Sequence, residues 1–408
     1  MQLRSVNPAT EEVVERFPAI SYRQASEIAQ RCAQACGAWS GTGIEERAKL
    51  AAKLARQLLA KKQQYAEAIT REMGKPITQA LAEIEKCAVL ADYYAAHGPG
   101  FLADAAVKTG YQQSRVSYEP LGAILCIMPW NFPFWQVLRC AIPALLAGNT
   151  VLLKHASNVP RCALDIEQAV EAAGFPDNVF RTLLLDADGA LELIGHRAIA
   201  AVSFTGSTQA GMAVGQQAGR HLKKAVLELG GSDPFIVLED ADLKLASSRA
   251  IEARNANGGQ SCIAAKRFIV AAKVEQAFTQ EVQAIMARLQ VGDPLDKQTQ
   301  VGPLAKQSMV EDLDRQVKQS VQQGARLRHG GGRMKGKGFF YQPTLLAGVK
   351  PGMPVWDEET FGPVLPVMPS PNVAESIKLA NDTQYGLGAS VWTRDIKQAT
   401  LLARQLQA

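Results

Sequence analysis

The sequence lacks an apolar amino-terminal core: Met1-Gln2-Leu3-Arg4-Ser5-Val6-Asn7-Pro8 places charge and proline where a secretory signal carries an unbroken hydrophobic stretch. No apolar run is long enough to span a bilayer. Seven cysteines is an odd number, and none form a C-x-x-C pair. That argues against a disulfide framework and for free thiols in a reducing compartment, with the cytoplasm as the expectation. No cluster of His, Cys and carboxylates has metal-ligand spacing, so no metal is expected. The net charge is +5, but Lys and Arg are mixed with Asp and Glu throughout. Without a basic tail or an aromatic-basic stripe, nucleic acid is not an expected partner. What remains is a 408-residue chain, 47% hydrophobic, with room for two or three domains and a full core.

Helical patterns dominate the first hundred residues. Ser21 caps a stripe of Ala25, Ile28, Ala29, Cys32, Ala35, Cys36 and Trp39 at 3-4 spacing. Cys32 and Cys36 share that stripe, and core packing outweighs a metal or redox role for them. A second helix is expected over 44–73, stopping at Gly74-Lys75-Pro76, and a third from Pro76 that fades at His97-Gly98-Pro99-Gly100. This region carries no visible chemistry. Tyr111 to Tyr118 alternates as an exposed strand does. Leu121 to Met128 is continuously apolar, the mark of a strand buried on both faces. Strands at 151–154, 179–184, 201–204 and 224–229 then alternate with helices, which predicts a doubly wound parallel sheet. Strands at 235–238 and 268–270 begin a second α/β region. Near the end, a helix over 374–381 and a strand over 388–393 precede a helix from Ile396 that runs to Ala408.

Three places carry candidate chemistry. Asn255-Ala256-Asn257-Gly258-Gly259-Gln260-Ser261-Cys262 sets one thiol behind two glycines, which leave the backbone open to close approach by a substrate. Taken alone, Cys262 also reads as a small packing residue. Gly206 to Gly211 puts glycine at a helix start, where free N–H groups hold a phosphate, or where an ordinary strand-to-helix turn sits. Glu228, ending a strand beside Gly230 and Gly231, is a general base facing a cleft or a solvated turn residue. Gly331-Gly332-Arg333-Met334-Lys335-Gly336-Lys337-Gly338 nearly spells a P-loop, but Gly338 stands where Ser or Thr must hold the metal, so a surface turn is expected.

Five motifs stand in one order: Pro129-Trp130-Asn131-Phe132-Pro133, Phe204-Thr205-Gly206-Ser207, Glu228-Leu229-Gly230-Gly231, Gly259-Gln260-Ser261-Cys262 and Glu359-Thr360-Phe361-Gly362-Pro363. Together they resemble the NAD(P)-dependent aldehyde dehydrogenase superfamily over nearly the whole chain. The resemblance implies two doubly wound α/β domains with a small oligomerisation sheet. The dinucleotide-binding domain would take 1–110 and 119–228, the oligomerisation hairpin 111–118, and the thiol domain 229–408. It implies Cys262 as nucleophile, Asn131 with the Cys262 N–H as oxyanion hole, and Glu228 as base for thioester hydrolysis. For the cofactor it implies Lys154 and Glu359 at ribose, Trp130 and Phe361 beside the nicotinamide, and Gly206, Ser207 and Gly211 at the pyrophosphate. Many NAD-preferring members carry a carboxylate three positions after the lysine; here Ser157 stands there, so NAD or NADP is accommodated.

Arg139, eight residues after Asn131, resembles the arginine with which succinate-semialdehyde dehydrogenases grip the far carboxylate of their substrate. A second arginine often sits six residues before the cysteine, where this chain has Ala256; the nearest is Arg254. The expected substrate is a small aldehyde, succinate semialdehyde first. An enzyme for neutral aliphatic aldehydes and an inactive dinucleotide-binding protein are the alternatives. The family's pattern continues past Ala408 with a strand that joins a partner's sheet and a loop over the substrate mouth. The expectation is therefore a homo-oligomer weakened by an incomplete carboxyl-terminal region, with no membrane partner.

Overall fold

The computed structural model describes residues 2–408. The chain divides into two compact units. Unit one takes the stretch to Val6, Val13–Glu72 and Ala80–Leu229; unit two takes Asn7–Glu12, Met73–Gln79 and Gly230–Ala408.

Unit one opens with an antiparallel hairpin of β1 (Gln2–Val6) and β2 (Val13–Pro18), where only helices were expected to follow the start of the chain. β2 is exposed at most positions, so its sequence shows no one-sided apolar pattern. Helix α1 (Tyr22–Ser40) begins at the expected cap: the Gln24 N–H donates to Ser21 Oγ at 3.3 Å, and the Ser21 N–H donates to Gln24 Oε1 at 2.9 Å. The single helix expected over 44–73 is two, α2 (Ile44–Ala60) and α3 (Lys62–Met73), because Lys61 leaves helical conformation at φ −110°. Helix α4 (Ile77–Phe101) does not fade at His97. A Cβ on Gly98 would lie 1.9 Å from Leu146 Cδ2, so this glycine permits close helix packing instead of ending the helix. The strand expected over 111–118 shrinks to β4 (Arg115–Val116), paired with β3 (Ala105–Ala106). Every residue of that pair is exposed, so no buried face holds a longer ladder.

The sheet of unit one contains β5 (Ala123–Met128), β6 (Thr150–His155), β7 (Phe180–Thr182), β8 (Ile199–Thr205) and β9 (Lys224–Glu228). The crossovers are α5 (Pro133–Leu146), α6 (Pro160–Ala172), α7 (Ala187–Ile194) and α8 (Thr208–Arg220). All pairings are parallel, in the order β7-β6-β5-β8-β9. The order reverses direction between β5 and β8, the position at which doubly wound sheets open a crevice beyond their carboxyl edge.

Unit two contains β10 (Asp233–Val237), α9 (Leu243–Asn255), β11 (Ala265–Ala271), α10 (Glu275–Met286), α11 (Gln307–Gln322), β12 (Arg326–His329), β13 (Thr344–Ala347), α12 (Pro354–Asp357), β14 (Val364–Ser370), α13 (Val373–Asn381), β15 (Ser390–Trp392) and α14 (Ile396–Ala403). Its strand order is β12-β13-β14-β11-β10-β15, parallel except for β12 against β13. Ile236, Ile269 and Val364 pack one face of this sheet, and Phe235, Phe268 and Leu365 the other. The last helix ends at Ala403 with Arg404 as its cap, short of the expected Ala408. Gly331 to Gly338 is irregular apart from an isolated bridge of Arg333 with Tyr341, and it lacks the following helix that a P-loop requires. Among the described residues no helix is long and apolar enough to cross a membrane, and no group of three or more His, Cys, Asp or Glu could hold a metal.

Candidate active site

In unit one the candidate residues other than Arg139 and Gly211, which lie in helices, sit at or just beyond the carboxyl edge of the sheet or in the turn that follows. Half-buried Trp130 and buried Asn131 follow β5; Lys154 is the penultimate residue of β6, and exposed Ser157 lies in the next turn. Gly206 and Ser207 follow β8, Gly211 sits in the first turns of α8, and Glu228 ends β9.

The Asn131 loop is held at its Pro133 end by a residue the sequence reading passed over. His155 Nδ1 accepts the Ala156 N–H at 3.0 Å, which puts the ring proton on Nε2, and Nε2 donates to the Pro133 carbonyl at 3.1 Å. Nδ1 carries no proton in this tautomer and makes no bond to the Met128 carbonyl 3.2 Å away, so the imidazole ties the Pro133 end of the loop to the turn after β6. Burial pushes the His155 pKa down to about 4, keeping the ring neutral. The helix that follows lacks a polar cap of its own, since Phe132 is its N-cap. Glu83 from α4 supplies one: its Oε1 accepts the Phe134 and Trp135 N–H groups at 2.9 and 3.0 Å. Glu72 does the same for α6, whose N-cap is Val159, accepting from Arg161 and Cys162 at 2.9 Å each.

Arg139 projects from α5 toward the end of β9. Its Nη2 lies 3.7 Å from Glu228 Oε2 and donates to Thr205 Oγ1 at 3.4 Å. Arg139, Thr205 and Glu228 line one open depression of about 760 Å³, floored by β8 and β9. The guanidinium has donors beyond those two contacts.

In unit two the candidate residues lie at the amino edge of the sheet instead. Gly230 and Gly231 lead into β10, Cys262 into β11, and Glu359 and Phe361 into β14, three adjacent strands. Asn257, Gly258 and Gly259 all have positive φ, at 55°, 61° and 77°. A Cβ at Gly259 would stand 2.3 Å from the Gly362 carbonyl oxygen. The glycine is thus required by backbone packed against it, a correction to its reading as space for a substrate. Gly231 is similar: its Cβ would lie 2.7 Å from the Cys262 carbonyl oxygen.

Two buried cations knit this edge together. Lys266 Nζ donates to the Ser261 and Cys262 carbonyls at 2.8 and 2.7 Å and lies 3.3 Å from Glu359 Oε1, which uses all three of its protons. Glu359 Oε1 also accepts the Gly231 N–H at 3.1 Å, and the Phe361 ring centre is 5.9 Å from Lys266 Nζ. Burial lowers the Lys266 pKa to about 8, opposed by the Glu359 carboxylate. Arg254 is fully buried and donates to the carbonyls of Ala265, Gly259, Thr360 and Gly362. It therefore ties the thiol loop to the Glu359 segment and presents no free guanidinium to a substrate.

The aldehyde dehydrogenase family profile matches residues 1–408. This chain belongs to the aldehyde dehydrogenase family. A succinate semialdehyde dehydrogenase [NAD(P)+] of Escherichia coli K12 is 46% identical over 403 residues, covering 99% of this chain and 87% of the relative. A probable succinate-semialdehyde dehydrogenase [NADP(+)] of Synechocystis is 45% identical over 408 residues, 100% of this chain and 90% of the relative. Among solved structures, Gox0499 superposes with a TM-score of 0.97 at 42% identity, over 100% of this chain and 89% of its own. The succinic semialdehyde dehydrogenase of Streptococcus pyogenes in complex with NADP+ gives 0.96 at 33% identity, over 99% and 89%.

Unit one suits the family's dinucleotide. The first turn of α8 carries no acidic residue, and its N-cap Ser207 accepts the Ala210 N–H at 3.3 Å, so a diphosphate at this turn meets N–H donors and no like charge. Gly211 lets α8 seat on the strand, since a Cβ there would come 2.2 Å from Leu229 Cδ2. Ser157, in the turn after β6, is exposed and uncharged.

Proposed function

We propose that this aldehyde dehydrogenase oxidises succinate semialdehyde to succinate with NAD or NADP. The observation that carries the substrate is Arg139, a cation lining the same depression as Glu228 and retaining donors for a carboxylate.

In this reading Cys262 adds to the aldehyde carbon, and the oxygen of the resulting thiohemiacetal takes hydrogen bonds from the Asn131 amide and the Cys262 N–H. Losing one such donor typically costs about 10²–10³ in rate. A bound nicotinamide would supply the hydride acceptor; Trp130 and Phe361 would stand beside it, Lys154 and Glu359 would hold the ribose, and Gly206, Ser207 and Gly211 the pyrophosphate. Glu228 then deprotonates the water that hydrolyses the thioester. Arg139 holds the distal carboxylate and so fixes which end of the substrate meets the thiol. The functional domains follow the motifs: 1–110 and 119–228 for the dinucleotide, 111–118 for assembly, 229–408 for the thiol. A reducing cytoplasm suits the chain, none of whose seven cysteines is in a disulfide among the described residues. Homo-oligomerisation through the exposed hairpin of β3 and β4 completes the reading.

Arg139→Ala tests it. A hydrogen bond to a charged group is worth about 1.5–3 kcal/mol, so KM for succinate semialdehyde should rise roughly 10- to 100-fold. KM for a neutral aldehyde of the same length should change little. Equal changes for both substrates would assign the enzyme to neutral aldehydes.

A further inference from the structure

Two thiols outside the proposed catalytic machinery lie against each other in unit one. Cys126 is on β5 and Cys140 is on α5, and their Sγ atoms are 3.1 Å apart. Cys126 is fully buried, whereas Cys140 is partly exposed and lines the depression of about 760 Å³ next to Arg139. Of the seven cysteines, these are the two whose sulfurs are recorded in contact with each other.

We propose that Cys126 and Cys140 are a redox-sensitive dithiol that closes to a disulfide under peroxide, with Cys140 as the sulfur that reacts first. The depression gives a small hydroperoxide access to Cys140, while Cys126 is out of reach of solvent. Around Cys140 the groups favour thiolate. Contact with the Cys126 sulfur, the Ser203 hydroxyl and the Arg139 guanidinium together hold its pKa below the usual thiol value against burial. The same contact and burial hold Cys126 as the protonated partner. One thiol is thus poised to attack and the other to resolve.

The chemistry balances in two steps. The Cys140 thiolate attacks one oxygen of the hydroperoxide, the O–O bond breaks, sulfur is oxidised to sulfenic acid, and the second oxygen leaves as hydroxide or alkoxide and is protonated. Cys126 sulfur then attacks the sulfenic sulfur, the S–O bond breaks, and its proton leaves with the hydroxyl as water. Closing the bond draws the sulfurs from 3.1 Å to about 2.05 Å. That removes the thiol beside Arg139 and pulls on α5 one residue from it. The disulfide stands or falls independently of the proposed substrate; only its consequence for Arg139 rests on that reading.

The test uses Cys262→Ala protein, so that the proposed nucleophile cannot feed thiol exchange, with wild type alongside. Each is treated with hydrogen peroxide, alkylated without reduction and digested with trypsin. Cleavage after Arg115, Arg139 and Lys154 separates the two sulfurs into peptides 116–139 and 140–154. The expected product is those peptides joined, two mass units lighter than their sum and parted by dithiothreitol. In Cys126→Ser the joined species should vanish and Cys140 should be trapped by dimedone as sulfenic acid. Treated protein with both cysteines alkylated, or with Cys140 driven to sulfinic acid while Cys126 stays alkylated and no joined peptide forms, would overturn the proposal.

Discussion

A neutral imidazole lets His155 join the Pro133 end of the Asn131 loop to the turn after β6, because a protonated ring could not accept the Ala156 N–H. Its pKa lies near 4 in the folded chain against an ordinary 6.5. Between those values the unfolded chain binds more protons, so this residue's contribution to stability is lost as pH falls from 6.5 toward 4, by up to about 3 kcal/mol. Buried carboxylates act in the opposite sense: burial raises Glu72 to about 7 and Asp165 and Asp233 to about 6. They are common to wild type and His155→Gln, so the difference between the two isolates the histidine. Urea midpoints at pH 7 and pH 4.5 should fall further for wild type than for His155→Gln; parallel losses would remove this role. At this scale the sequence drew attention to groups set in motif loops and was silent on those that hold them. A signal existed all the same. Glu83 falls on the buried stripe Ala80, Ile84, Cys87, Ala88 and Ala91 of α4, and Lys266 and Arg267 interrupt an otherwise apolar strand. A charge in a position that periodicity assigns to the core needs partners, and each of these has them within about 3 Å.

Helices α5 and α6 show how an element can take its cap from elsewhere in the chain. Both start with proline at their first turn behind an apolar residue, and both receive a carboxylate from an earlier helix. Glu83→Ala would leave the Phe134 and Trp135 N–H groups buried without that acceptor, costing about 1–3 kcal/mol. Because α5 begins just after Asn131, kcat should fall as well, and Glu83→Gln, which keeps one acceptor oxygen, should recover part of both losses. Urea unfolding and steady-state kinetics on the two variants check this; wild-type stability in Glu83→Ala would show that the cap does not matter. Four of the five parallel strands of unit one were legible because burial writes a mostly apolar run, while exposed β9 was placed by its position between a helix and a pair of glycines. The β1–β2 and β3–β4 hairpins were misjudged because exposed strands carry no such run. The contrast between the carboxyl edge in unit one and the amino edge in unit two was hidden for another reason. Edge assignment depends on strand order, which local patterning does not encode.

For the molecule as a whole, cofactor binding should appear as thermal protection. At one hundred times Kd a ligand adds about 2.7 kcal/mol to the state that binds it, several degrees in a domain of this size. NAD+ and NADP+ should both raise the melting temperature of the wild type. Ser157→Glu should keep the NAD+ shift and lose most of the NADP+ shift, since a carboxylate repels the 2′-phosphate. Retention of both shifts would place the adenosine ribose away from this turn. The same cooperativity guards the chain's chemistry over time. Asn257-Gly258 is the kind of sequence that ages by deamidation, as the glycine nitrogen closes onto the asparagine side chain. In the fold, Asn257 Nδ2 donates to the Gln260 carbonyl at 3.0 Å and its own N–H donates to Gln79 Oε1 at 2.7 Å. Those bonds keep the side chain from swinging over the glycine nitrogen, so the slow clock written into this loop runs only when the protein opens, and one extra dalton at Asn257 becomes a count of how often it has.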